Sequence, residues 1–171
     1  MNADSHHSAG GHLFLLQCIS CFFMCGVIWF VQVVHYPLFD QVGLGYFAKY
    51  EEQHTLLTTF VVLPPMFVEL LTSGLLVHMR PHFVSRSFAM AILTLTVVVW
   101  LLTFAVHVPQ HDVLGRGYDG DVHEALVSTN WLRTVLWTIK AAIVLRLLRR
   151  GVLASDASPQ MGFPGGVTEI R

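Results

Sequence analysis

The sequence predicts an all-α protein, an integral membrane bundle of four up-and-down helices. Three observations lead there. Hydrophobic residues make up 54% of the 171 positions and charged residues only 12%, a balance foreign to most soluble domains and ordinary for a small membrane protein. The apolar residues gather into four runs, 13–36, 55–77, 87–108 and 129–148, each near the ~20 residues that cross ~30 Å of hydrocarbon as a helix. Each run also carries polar side chains three or four positions apart, so that they share one face.

The first run comes after the leader MNADSHHSAGGH, which holds no Lys or Arg. The run is long and no small-residue cleavage site succeeds it, so it reads as a span and not as a signal peptide. Its polar face is Trp29, Gln32 and then His35 or Tyr36. Cys18, Cys21 and Cys25 lie deep inside it, where small, soft packing residues are expected rather than redox ligands. The second run carries His54, Thr58, Pro65, Glu69 and Thr72. Pro64 and Pro65 remove backbone donors and predict a kink there.

The third run carries Thr96, Trp100, Thr103, His107 and then Gln110 or His111, with Pro109 expected to break or turn the face between the two histidines. The fourth opens NWLRTVLWTIK, in which Asn130, Arg133, Trp137 and Lys140 advance by helical steps while Leu, Val, Ile and Thr fill the positions between. Ionisable groups are costly in lipid, so all four polar faces should turn inward. Residues 1–12 then form an N-terminal cytoplasmic segment, 13–150 the transmembrane domain, and the Gly-, Ser- and Pro-rich 151–171 a disordered cytoplasmic tail.

Charge placement orients the bundle. Arg80 and Arg86 flank the short second connection, and Arg146, Arg149 and Arg150 close the fourth run. The two longer connections carry mostly Asp and Glu. The positive-inside rule therefore puts both termini on the cytoplasmic side of a plasma (inner) membrane. No basic patch with interleaved aromatics is present, which excludes nucleic acid as a natural partner. Lipid is the implied one.

Depth separates two polar groups. At roughly 1.5 Å per residue, Glu69 lies ~21 Å and Lys140 ~16 Å from the outer face. Opposite charges so deep should form an ion pair, either fixing helix register or relaying protons or ions. At the outer rim, HYPLF, YEEQH, HVPQH and NWLRT converge, bringing together His35, Tyr36, Tyr50, Glu51, His54, His107, His111, Asn130 and Arg133. Imidazoles and a carboxylate bind transition metals or move protons near neutral pH. The candidate metal ligands are His35, Glu51, His54, His107 and His111, with Glu51 and His54 spaced as in carboxylate-bridged helical metal sites. His35 with His107 is the pair that would hold a haem. A small-molecule pocket is the third option, with His54 and His111 as catalytic bases and Asn130 and Arg133 holding a substrate oxygen.

VPQHDVL (108–114) succeeded by NWLRTVLW (130–137) resembles the signature of the anthrone-oxygenase-like membrane proteins, over roughly residues 100–145. Members are small four-helix proteins, and the family usually shows Asn where this chain has His111. The resemblance implicates His111, Asn130 and Arg133 and implies oxidation of polycyclic phenolic molecules by dioxygen without an evident cofactor. The expected function is a redox role on a small aromatic or quinone-like molecule, with a metal or haem as an open option. The alternative is a non-catalytic accessory subunit bound to other subunits of a larger membrane complex.

Overall fold

The computed structural model describes residues 3–156. Among them there are no strands, and the helices form four long rods. The first is α1 (Ala3–Phe30), prolonged by a π turn (Val31–His35) and a 3-10 turn (Pro37–Gln41). The second is α2 (Leu44–Leu76). The third is α3 (Arg86–Leu102), a π turn (Thr103–His107) and α4 (Val108–Leu114), and the fourth is α5 (Gly120–Asp156). Two rods outrun their apolar stretches. The α2 helix begins well ahead of residue 55 and α5 well ahead of residue 129, because a helix that ends in a polar environment continues past the last greasy residue. Likewise α1 takes in residues 3–12, and α5 passes through Gly151 to Asp156. The rest of the expected tail, 157–171, lies outside the described residues.

The rods form a ring in which α1 and α3 each pack between α2 and α5. They alternate in direction. Gly10, on α1, lies against the α2–α3 connection: a Cβ there would stand 2.7 Å from the Met79 carbonyl oxygen, so glycine is required by close approach. Gly151, on α5, meets Phe83 of the same connection. Residues 10, 80 and 151 therefore share one end. Local bonds shape the links. The Arg80 guanidinium donates to the Val77 carbonyl at 2.8 Å, the Ser85 hydroxyl accepts from Phe88 N–H, and the Asp119 carboxylate accepts from the N–H groups of Asp121 and Val122 at 3.0 and 3.1 Å. These satisfy helix-end groups that would otherwise lack partners.

Inside the ring the packing is layered. Phe14, Cys18, Cys21, Leu76, Ala89, Ile92 and Leu147 fill the end near the short connection. Two of the three cysteines thus pack as small apolar side chains, and all three are free thiols. Met24, Ile28, Met66, Val99 and Trp137 form the middle. Phe39, Phe47, Leu114 and Leu126 close the far end. Polar groups thread between these layers. Thr72 Oγ1 donates to Gln17 Oε1 at 2.7 Å, Lys140 Nζ meets Glu69 Oε2 at 2.8 Å, and Asn130 Nδ2 donates to Gln32 Oε1 at 2.9 Å. Outward faces are apolar: Ile19, Phe30, Phe60, Leu71, Leu101 and Leu132 are all more than half exposed.

Among the described residues, three helical stretches are long and apolar enough to cross a membrane: Ala9–Gln41, Leu44–Leu76 and Arg86–Leu114. The fourth rod is not among them, a departure from the four apolar spans expected. Its length of 37 residues suffices, but Arg133, Lys140 and the terminal arginines dilute its apolar character. Burial explains how the first two are tolerated: Asn130, Trp137 and Lys140 are fully buried and Arg133 nearly so. The α2 helix runs unbroken through Pro64 and Pro65.

Candidate functional site

At the end away from the short connection, two prolines decide which side chains turn inward. Pro37 and Pro109 lack an N–H, and each ring would collide with the carbonyl four residues earlier, Val33 and Ala105. Both rods respond by widening one turn just before the proline. Tyr36 N–H donates five residues back to Val31 O at 2.9 Å, and Val108 N–H likewise donates to Thr103 O. A π turn holds one residue more than an α turn, so it rotates the residues beyond it by about 100° without breaking the rod. The expected break between His107 and His111 is therefore absent, and HYP and HVP are two copies of one device. His107 Nδ1 uses the widened turn to bond Leu102 O at 2.9 Å.

The side chains so delivered form a chain of bonds. Glu51, on α2, pairs with His111 Nδ1, on α4, as both an ion pair and a hydrogen bond. His111 Nε2 shares a proton with the Tyr36 hydroxyl at 2.9 Å. One helical turn along α2, His54 Nδ1 lies 2.8 Å from His35 Nε2 and 3.1 Å from Thr58 Oγ1. The His54 and His111 rings are 5.3 Å apart. Phe39, completely buried, sits edge-on beneath Tyr36, His35, His54 and His111 and stacks on His123. His123 Nε2 in turn lies 2.8 Å from the Tyr36 carbonyl, and its Nδ1 lies 3.1 Å from the Tyr118 hydroxyl. This aromatic box prevents the imidazoles from drifting, because each ring has packed neighbours on several sides.

Beside the chain opens a cavity of about 840 Å³ between α2 and the third rod. Its inner wall holds Tyr36, Glu51, His54, His107, His111 and Arg133, and its rim carries Lys49, Glu52, Asp112 and Arg116. Arg133 is 7% exposed, stands over the Trp137 ring at 5.5 Å, and faces the Tyr36 phenol; its Nε has no partner. His107 is buried, with Nδ1 tied to Leu102 and Nε2 unpartnered. A neutral imidazole that donates from Nδ1 to a carbonyl must carry its lone pair on Nε2. His107 is thereby set up as a proton acceptor.

Of the predicted catalytic residues, His54, His111 and Arg133 come together in the cavity wall. Asn130 does not. It sits one turn away from Arg133 and clamps Gln32, which also donates to Val127 O at 3.1 Å. Of the expected metal ligands, Glu51, His54 and His111 place one ligand atom each within 4.8 Å of one another. His35 stands behind His54 and outside the wall, with its Nε2 engaged by His54 and not presented opposite His107 as the haem pairing requires. Glu69 and Lys140, matched by depth, form the deep pair, joined by Trp137 Nε1, which donates to the same carboxylate oxygen at 3.0 Å. Sequence reasoning puts Tyr36 at this rim and Thr58 on the inward face without a role for either, and it misses Phe39 and His123. The HYP/HVP repetition is the signal that points to Tyr36; His123 precedes the apolar part of its rod and leaves none.

Compared with family models, with curated proteins and with solved structures, the chain finds no match.

Proposed function

We propose that the protein spans a plasma membrane with all four rods, both termini cytoplasmic, and that its cavity oxidises a small phenolic or quinone-like molecule on the extracytoplasmic side. The outward faces of the rods support insertion, as does the burial of the charges on α5. Orientation rests on Arg80, Arg86, Arg146, Arg149 and Arg150 clustering at the opposite end.

The observation that carries the functional reading is the joint presence, in one cavity wall, of a buried arginine and a histidine whose buried Nε2 has no hydrogen-bond partner. A cavity of this size suits a ligand of one to a few fused rings. His107 Nε2, unpartnered but enclosed by neighbouring atoms, accepts the phenolic proton once the entering ligand displaces those neighbours, and Arg133 holds the resulting phenolate, whose charge a buried guanidinium answers well. A phenolate gives up electrons more readily than a phenol; a hydroquinone passing two electrons and two protons to dioxygen leaves as the quinone and yields hydrogen peroxide. The resemblance of 108–114 and 130–137 to the anthrone-oxygenase-like proteins supports the same chemistry. It implicates His111 and Arg133 in the wall; Asn130 contributes by fixing the α1–α5 contact. The Glu69–Lys140 pair lies outside the cavity wall, so ion transport draws no support from its position.

Purified protein in nanodiscs, titrated with a naphthohydroquinone or an anthrone, tests the reading. Arg133→Leu should stay folded and bind ~10–100-fold more weakly, the loss expected for a hydrogen bond to a charged group. His107→Gln should retain binding and lose ligand-dependent oxygen consumption. Unchanged binding in Arg133→Leu, or a parent protein that binds neither compound and elutes only with larger partners, overturns it in favour of an accessory subunit.

A further inference from the structure

Glu51 poses a problem the redox reading leaves unanswered. It is completely buried, its Oε2 has no partner, and its charged contact is His111. A buried carboxylate needs a compensating positive charge and a full set of bonds. From this shortfall and the arrangement around it, we propose that Glu51, His54 and His111 hold a divalent transition-metal ion, with open coordination positions facing the cavity. The ion would equip the site of the redox reading, on which its purpose rests, yet the observations that place it are separate.

Three features support it beyond the clustering of ligand types. First, the donors come from two helices, and one atom of each lies within 4.8 Å of the others. Bonds of about 2.0–2.2 Å require them to draw somewhat closer, a matter of side-chain rotation about a carboxylate that already has one oxygen free. Second, the remote nitrogen of each histidine is held. His111 Nε2 is on the Tyr36 hydroxyl, and His54 Nδ1 is between His35 Nε2 and Thr58 Oγ1, which leaves His54 Nε2 as the nitrogen for the metal. Ligating histidines are oriented in this way, by a partner on the nitrogen that does not bind the metal. Third, all three ligands line the cavity, so a bound ion would meet whatever enters it. Two imidazoles and one carboxylate suit Fe(II), Co(II) or Zn(II), whereas an oxygen-rich set would suit Mg²⁺ or Ca²⁺. The metal takes the place of the proton between Glu51 and His111, so loading should release protons.

The test is Co(II) titration of chelator-stripped, nanodisc-embedded protein, read by absorption and by metal retained through gel filtration. One equivalent per chain, with visible ligand-field bands and proton release, is expected. Glu51→Gln and His54→Ala should lose it, Tyr36→Phe should bind about 10–100-fold more weakly, and His78→Ala, at the other end, should match the parent. Circular dichroism establishes that each variant is folded; Glu51→Gln, nearly isosteric, serves should His54→Ala fail. No retained Co(II) in the parent overturns the site, as does equal retention in Glu51→Gln. Naphthohydroquinone binding is measured in parallel. Ligand binding without Co(II) retention defeats the metal site alone, and Co(II) retention without ligand binding defeats the aromatic-ligand reading alone.

Discussion

Lys140→Met removes the cation from a pair that is shut away from solvent on both sides, the ammonium 0% and the carboxylate 1% exposed. At an effective dielectric of about 20, unit charges 2.8 Å apart attract by ~6 kcal/mol. Desolvating the two ions costs several kcal/mol each, so the intact pair contributes little net stability. Breaking it is different. Glu69 keeps the Trp137 N–H at 3.0 Å, its Oε1 already has no partner, and Lys140 is the one cation paired with it among the described residues. An orphaned buried charge of this kind costs about 3–5 kcal/mol. At ~2–4 °C per kcal/mol for a chain of this size, the midpoint should fall by roughly 6–20 °C. Heating in detergent, monitored by circular dichroism and by tryptophan fluorescence, gives the number. The double variant Glu69→Gln/Lys140→Met leaves no unpaired charge and should recover most of the loss. A single variant melting within ~2 °C of the parent refutes the reasoning, and so does a double variant whose loss is the sum of the two singles.

Asn130→Leu should cost about 1 kcal/mol, the usual net contribution of one hydrogen bond, and leave naphthohydroquinone affinity unchanged; a large loss of affinity with unaltered melting would return Asn130 to the cavity. Pro109→Ala restores a backbone donor and relieves the collision with the Ala105 carbonyl, removing the cause of the π turn. Melting should hold or rise while ligand binding weakens, because α4, with His111, turns by about 100° relative to α3; equal binding with an unmoved His111 would show that the proline does not set the turn.

The sequence by itself determined the all-helical class, the four rods and the inward set of charges. Periodicity is a local property: Asn130, Arg133, Trp137 and Lys140 share a face in any helix, and the cost of leaving charges on an otherwise apolar surface favours turning that face into the bundle. Depth then matched Glu69 with Lys140, since rods of known rise can be compared without coordinates. Proximity within the cluster at the rim was another matter. The bundle alone decided that Glu51 meets His111, that His54 backs onto His35, that Asn130 clamps Gln32 outside the cavity, and that the aromatic plug is Phe39. Each outcome depends on a rotation of about 100° per residue, and two π turns shift that rotation mid-rod. Their cause, a proline two residues after a histidine, is written in the chain; their consequence for which ring nitrogen faces which neighbour is fixed only when four rods are packed against one another.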